Sequence, residues 1–526
     1  LALNVIDALL TIGGTGTYFK HTLETHIPFA QELYTQEFTG MTYSKLVNVS
    51  LEKTHDYVCN TAMHLVLPGI IGVQSSATTS TGYPYLRSSS TCGNGNFNCV
   101  PAQEMSALDY DLDFLDSAIA SGGHLVHNPF AHWVYGAGFR FIEQIQLLAG
   151  TLPAETHDFR FLYAWEELSG GAGKRQTFQA QIASTREELI RSSLNDQHLY
   201  VNIPFWFTYF YGNSLSIVRS QLAKLSYGLN SAAHTDLIVC SDEQTLPYLS
   251  QKTSAATTVL DWRTNSSDAR THDMESTGTA VAKDNALTVE MVQQIVYLED
   301  SHRRAELAKA EDHEMNVLMI VTESETVAFT NASTFKITLE GSNPVIELVI
   351  MCQLDANQEV NDWFNFSRIG PASGRGKGPN NLAYTDGSVA FGSGVSNHER
   401  RLGQVDADPI STLTLKVNQQ QRIHSAPAAE FRVLTPRLTH SNLPNKWAGA
   451  YIYVIPISIY PEDASGGGGS CNMGRVDNFT VSGAFDAGVV RSNVKVHMYV
   501  NARMWSIWSY YGHTSGPRFA HQFSAS

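Results

Sequence analysis

An all-β protein of two domains is what this sequence predicts, and three observations predict it. Most of the chain reads as short β-branched and aromatic runs separated by Gly, Pro, Asn and Ser, the pattern of sandwiches and barrels. At 526 residues it is longer than a single hydrophobic core usually grows. Charged residues make up only 16%, against 43% hydrophobic and 10% aromatic, where an average soluble domain carries roughly 25% charge. So little solvating charge favours extensive self-association over a free monomer.

Strands are expected over 141–147, 200–210, 335–339 and 451–460, each rich in residues that suit a pleated, half-buried surface. Helical signals are few. The clearest spans 301–314, where SHRRAELAKAEDHE sets opposite charges three or four residues apart. Lying between two strand-rich halves, it reads as the hinge joining domains 1–304 and 305–526. Long polar insertions at 74–98, 241–284 and 370–405 interrupt the strands and read as decorations at one end of each domain.

The two halves also share an outline. A strand running into a polar turn (145–150; 413–421) precedes a Leu- and Arg-containing segment (159–168; 431–440). An aromatic, Pro-containing stretch then follows (203–210; 451–459). Identity between the halves is low, so the outline alone suggests duplication without proving it.

Charge and cysteine usage exclude several classes. A formal net charge of −15 argues against coating nucleic acid, which needs clustered Lys and Arg in excess. Six cysteines are too sparse for a disulfide scaffold and suit a reducing compartment. Only Cys92 and Cys99, flanking a Gly- and Asn-rich turn, are placed to close a short loop. No apolar run approaches the ~18 residues of a membrane span, and no signal-peptide pattern is read.

Catalytic patterns are equally thin. Gly170–Lys174 suggests a phosphate loop, but Leu168 stands where its first glycine belongs and Arg175 where Ser or Thr would hold magnesium. The histidines lack HExxH or Cys-paired spacing. Glu166 with Glu167, and Asp111 with Asp113, read as solvated edges and not as a glycosidase pair. The basic segment 373–378 reads as a surface loop. No catalytic residue, metal site or cofactor is expected.

Several patches, in order along nearly the whole chain, resemble the double jelly-roll major capsid proteins of nucleocytoplasmic large DNA viruses, of the phycodnavirus, iridovirus and mimivirus type. They begin with Thr17-Tyr18-Phe19-Lys20, His26 and Phe29-Ala30, then Ile142-Glu143 with Ile145, Leu147 and Gly150. The most specific is Pro204-Phe205-Trp206-Phe207 with Gly212 and Leu215. Tyr297–Asp300 with Arg303-Arg304, Asn343-Pro344-Val345 with Glu347-Leu348, and Asn418 with Gln421-Arg422 follow. Pro461-Glu462-Asp463 and Arg475-Val476-Asp477-Asn478 complete the series. Tyr460 before Pro461 and the glycine run 466–469 depart from the family pattern.

The resemblance implies two tandem eight-stranded antiparallel jelly rolls with a few short helices and long loop insertions. It further implies homotrimeric, pseudo-hexagonal capsomers that tile an icosahedral shell and contact neighbouring capsomers, minor capsid proteins and penton proteins. Nucleic acid would not be touched directly, and an inner membrane only through other proteins. The expected place is the virion, assembled in the host cytoplasm. Pro204, Phe205, Trp206, Phe207, Arg475, Asp477 and Asn478 are expected to serve packing, with Trp206 alternating outward toward a neighbouring roll. Asn48, Asn265, Asn331, Asn365 and Asn478 each open an N-x-S/T sequon and are candidate glycan acceptors. The rival reading is a secreted carbohydrate-binding or carbohydrate-active β-sandwich protein, which predicts a monomer or dimer.

Overall fold

The computed structural model describes residues 28–67, 130–170, 197–233, 236–241, 261–262, 274–275, 287–359, 361–368, 407–445, 449–464, 468–487, 489, 494–518 and 523–525. Asn265, Cys92 and Cys99, the 17–26 segment and the 171–174 and 373–378 loops lie outside them.

The first half contributes β1 (Phe29–Glu37), β2 (Leu46–Ser50), β3 (Tyr57–Leu67), β4 (Phe130–Trp133), β5 (Ile142–Ala149), β6 (Leu152–Asp158), β7 (Gln197–Asn202), β8 (Leu215–Ser216), β9 (Leu225–Ser231), β10 (Ile238–Ser241), β11 (Asp261–Trp262), β12 (Met274–Glu275) and β13 (Thr288–Leu298). The second contributes β14 (Met315–Thr330), β15 (Thr334–Gly341), β16 (Pro344–Leu354), β17 (Ile410–Val417), β18 (Gln420–Pro427), β19 (Ile452–Pro456), β20 (Cys471–Asn472), β21 (Phe479–Phe485), β22 (Lys495–Tyr511), β23 (Thr514–Pro517) and β24 (Phe523–Ala525). Among the helices are α1 (Ala137–Phe141), α2 (Phe159–Ser169), α3 (Asp300–Asp312), α4 (Asp355–Glu359) and α5 (Thr435–Thr439), the last preceded by a π-helical turn at Glu430–Leu434.

Four large antiparallel sheets carry the fold, and they repeat one topology. In the first half the order β1-β13-β3-β7 faces β2-β9-β5-β6; in the second, β14-β22-β16-β19 faces β18-β17-β21-β15. Even the short additions correspond, β8 pairing with β3 as β20 pairs with β16. Each half is a jelly roll. Among the described residues, strands β1–β13 pair only with one another, as do β14–β24. Helix α3 lies between them, two residues shorter at its end than the 301–314 segment suggested. The outline duplication is thus matched by topology. β5–β6 turns at Gly150 (φ 68°) and β17–β18 at Asn418 and Gln419 (φ 49° and 65°), left-handed positions that glycine and asparagine adopt at low cost.

One expected strand is corrected. Over 200–210, β7 stops at Asn202, Pro204 removes a donor, and a 3-10 turn forms at Trp206–Thr208. A helix was also missed: the Asp158 side chain accepts from Phe161 N–H at 3.0 Å, capping α2 at its N-terminus.

The rolls differ in what their sheets bury. β3 alternates buried and half-buried residues, the signature of one covered face. β16 is buried along nearly its whole length. Its Leu348, Ile350, Cys352 and Leu354 fill the second roll's own core. Val349 and Met351 belong instead to the core cluster that continues into the first roll. The outer face of the β14-β22-β16-β19 sheet is therefore an interior surface of the chain.

Candidate assembly interface

The first roll covers that face with one flank: β6, α2 and the segment after β7. Trp206 is fully buried, its ring 5.3 Å from that of Trp508 on β22, and its backbone N–H donates to Glu155 Oε2 at 2.8 Å. Tyr163 of α2 stacks on Phe364 at 4.3 Å. Backbone bonds stitch the seam: Asn442 N–H to the Leu168 carbonyl (2.9 Å), and Leu222 N–H to that of His513 (2.8 Å). Glu167 accepts from Asn445 N–H and Tyr510 from Ser216 N–H.

At the centre of the seam sits a buried ionic cluster. Arg503 Nη1 donates to Glu347 Oε1 and, at 3.1 Å, to the Pro461 carbonyl. Its guanidinium lies 3.8 Å over the Trp165 ring of α2, a cation–π contact across the rolls. His440 meets Glu347 Oε2 through Nε2 (2.9 Å) and Glu462 Oε1 through Nδ1 (3.2 Å). With an acceptor at each ring nitrogen, the imidazole must carry both protons. Burial alone would lower its pKa, but the carboxylates of Glu347 and Glu462 raise it to about 9. Burial would likewise raise Glu347, yet His440 and Arg503 hold it at about 2. Glu155, buried beside His157, is pushed upward by desolvation.

Because the rolls share a topology, their outer faces can be compared rung by rung. Aligning the last residues of β7 and β19 places Asn202–Ala62–Val292–Thr35 on Pro456–Glu347–Arg503–Thr322. Two residues along, Leu33 of β1 matches Ile320 of β14. Ile320 is 1% exposed, packed with Ile346, Ala464 and Trp505 of its own roll and Tyr209 of the first, while Leu33 is 75% exposed. The flank shows the converse. In the first roll α2 and residues 203–207 are largely buried, although Leu152 of β6 and Phe210 stay half exposed; in the second, the corresponding residues Leu438, Ile459 and Tyr460 are 71%, 68% and 63% exposed. The chain ends in two unmatched halves of one contact: a covering flank on roll two and an uncovered sheet on roll one. On that sheet, Leu33, Ala62, Val292 and Tyr209 help line an open cavity of about 770 Å³.

The sequence-derived residues fall as follows. Pro204, Phe205, Trp206 and Phe207 are all buried, Phe205 stacking on Tyr227 at 5.7 Å. The expectation that Trp206 alternates outward is corrected: it occupies a 3-10 turn, and the roll it meets belongs to its own chain. Asp477 and Asn478 bring their N–H groups to Asn418 Oδ1 (2.9 and 3.3 Å), tying the start of β21 to the β17–β18 turn. Arg475 is exposed at the end of a 3-10 turn. Among the sequons, Asn48, Asn331 and Asn478 are exposed. Asn365 is buried, donating to Asp362 Oδ2 and accepting from Ser367, so the folded chain leaves no room for a glycan there. The ionic cluster was not foreseen. Its signal was a lone charge, Glu347, inside the apolar run 345–354.

Among the described residues no group of three His, Cys, Asp or Glu side chains is arranged to hold a metal, and no helix is long and apolar enough to cross a membrane.

Paired sheets repeated twice along one chain define the class: a double jelly-roll protein. The chain belongs to the large eukaryotic DNA virus major capsid protein family. That family's model matches residues 304–502, and the model of a major capsid protein N-terminus matches residues 115–265. The fold is similar to that of PBCV-1 VP54 (TM-score 0.60, 12% identity, covering 96% of this chain and 100% of that one). It is also similar to the Faustovirus major capsid protein (TM-score 0.61, 10% identity, 96% and 94% covered). No curated protein matches the sequence.

Proposed function

We propose that this chain is a non-enzymatic shell component whose two rolls, 1–304 and 305–526, associate as a homotrimer and tile a virion surface. One observation carries the reading. The contact that joins roll one to roll two inside the chain is left open at both ends, and its open halves are complementary surfaces of the same molecule. Placing roll two's flank on the outer sheet of the next copy's roll one repeats the internal contact. Three copies repeating it close a ring of six similar wedges, a cyclic assembly with a heterologous interface. Six-sided tiles pack a flat facet, which suits an icosahedral shell. Neighbouring capsomers, minor capsid proteins and penton proteins would then be the partners, reached after assembly in the host cytoplasm.

Among the described residues Asn48, Asn331 and Asn478 are the sequons open to glycans, Asn265 stands as a further candidate acceptor, and intact-mass analysis of virion-derived protein reads all four directly. Size-exclusion chromatography with light scattering tests the assembly. The proposal expects three times the chain mass and hexagonal outlines in negative stain; a stable monomer or dimer overturns it.

A further inference from the structure

We propose that the contact between copies is weakened by acid, with His64 and His198 as the responding pair. The inference rests on the trimer reading above and adds its regulation.

The rung next to Ala62–Val292 carries it. Across the outer face of roll one runs Glu37–Glu290–His64–Tyr200; the same rung of roll two reads Ser324–Asn501–Val349–Val454. One pair further on, His198 stands where roll two has Ile452. Inside the chain Asn501, Val349, Val454 and Ile452 at these positions are buried, and only Ser324 at the edge is exposed. On roll one they form a polar chain. His64 Nδ1 meets Glu290 Oε2 at 2.9 Å, and His64 Nε2 meets His198 Nδ1 at 3.2 Å. Tyr200 stacks on His64 with ring centroids 4.5 Å apart.

The network orders its own protons. Glu290 accepts from His64 Nδ1–H, which leaves His64 Nε2 to accept from His198 Nδ1–H. A first added proton is accommodated: His64 donates at both nitrogens, toward Glu290 and toward a neutral His198. A second has no place, because N–H would then face N–H across 3.2 Å with positive charge on both rings. In an open face the rings separate into water. Under a docked flank they cannot.

Every charged group around the pair bears on this. Glu37 on β1 and Glu290 on β13 are the carboxylates on this rung. On the flank that would dock, Glu430, Arg437 of α5, and Arg422 and His424 on β18 are exposed; in the proposed trimer they would come against this sheet. Acid that adds the second proton should therefore drive copies apart.

Trimer dissociation measured by light scattering or sedimentation at pH 7.5 and 5.5 tests the inference on three chains: the parent, the double variant His64→Val/His198→Ile that copies roll two, and the exposed single variant His198→Asn. The expected result is at least a tenfold weakening of the parent trimer at the lower pH, with the response lost in the double variant and reduced in His198→Asn. A parent trimer equally tight at both pH values, or variants that respond as the parent does, overturns it. A chain that forms no trimer at either pH overturns the reading beneath it instead.

Discussion

The outer sheet of roll two and the outer sheet of roll one have the same strands in the same order, yet one is core and the other is surface. On roll two, Ile320, Val349, Val454 and Trp508 are sealed, and a charged cluster of Arg503, Glu347 and His440 is sealed with them. On roll one, Leu33 stands open, and beyond the Thr35–Val292–Ala62 rung comes one built from Glu290, His64 and Tyr200. An interface formed once, during folding, tolerates buried charge because every partner is already on the chain. A surface that must remain soluble before assembly carries groups that water can satisfy.

That contrast sets the expected effects. The largest falls on the internal seam: Arg503→Ala leaves Glu347 buried without its guanidinium partner and should cost about 3–5 kcal/mol of stability, read as a fall in denaturation midpoint. Close behind, Trp206→Ala opens a cavity against Trp508 and should cost about 3–5 kcal/mol. Both losses should appear in the isolated chain, before any assembly.

The pH dependence of the seam is graded. His440 is raised from 6.5 to about 9, so its contribution is full below 6.5 and lost as pH rises through 9. Glu347 is lowered from 4.5 to about 2, so its contribution is present above 4.5 and lost as pH falls through 2. The window between 4.5 and 6.5 keeps both. A denaturation series in which the alkaline fall persists in His440→Gln would assign it to other groups. The smallest effect on folding belongs to roll one's open sheet: Leu33→Asp should change chain stability by no more than about 0.5 kcal/mol while abolishing trimers.

Much of this was legible before any coordinates. Polar residues on one face of β3 (Asn60 and His64) and the largely apolar run of β16, interrupted by Glu347 and Gln353, distinguish a sheet covered on one face from a sheet covered on both. β5 and β15 extend slightly beyond their expected 141–147 and 335–339 runs, since strand ends depend on partners the local pattern does not name. The 200–210 segment misled because aromatic residues suit a strand, whereas Pro204 and the demands of the seam turn it into a 3-10 corner. Helix α2 was hidden by its aromatic content, although Asp158 followed by apolar residues at 159, 162 and 165 carried its signal. The ionic cluster joins Glu347, His440, Glu462 and Arg503, spread over more than 150 residues, and no local pattern brings such groups together.

The central claim is that copies meet as the two rolls of one chain meet. Leu33→Cys combined with Tyr460→Cys, treated with a short bis-maleimide and run on a denaturing gel beside the parent chain, tests it most directly. Linked dimers and trimers absent from the parent and from either single variant are the predicted result. Intact trimers in solution that yield no such products would contradict it.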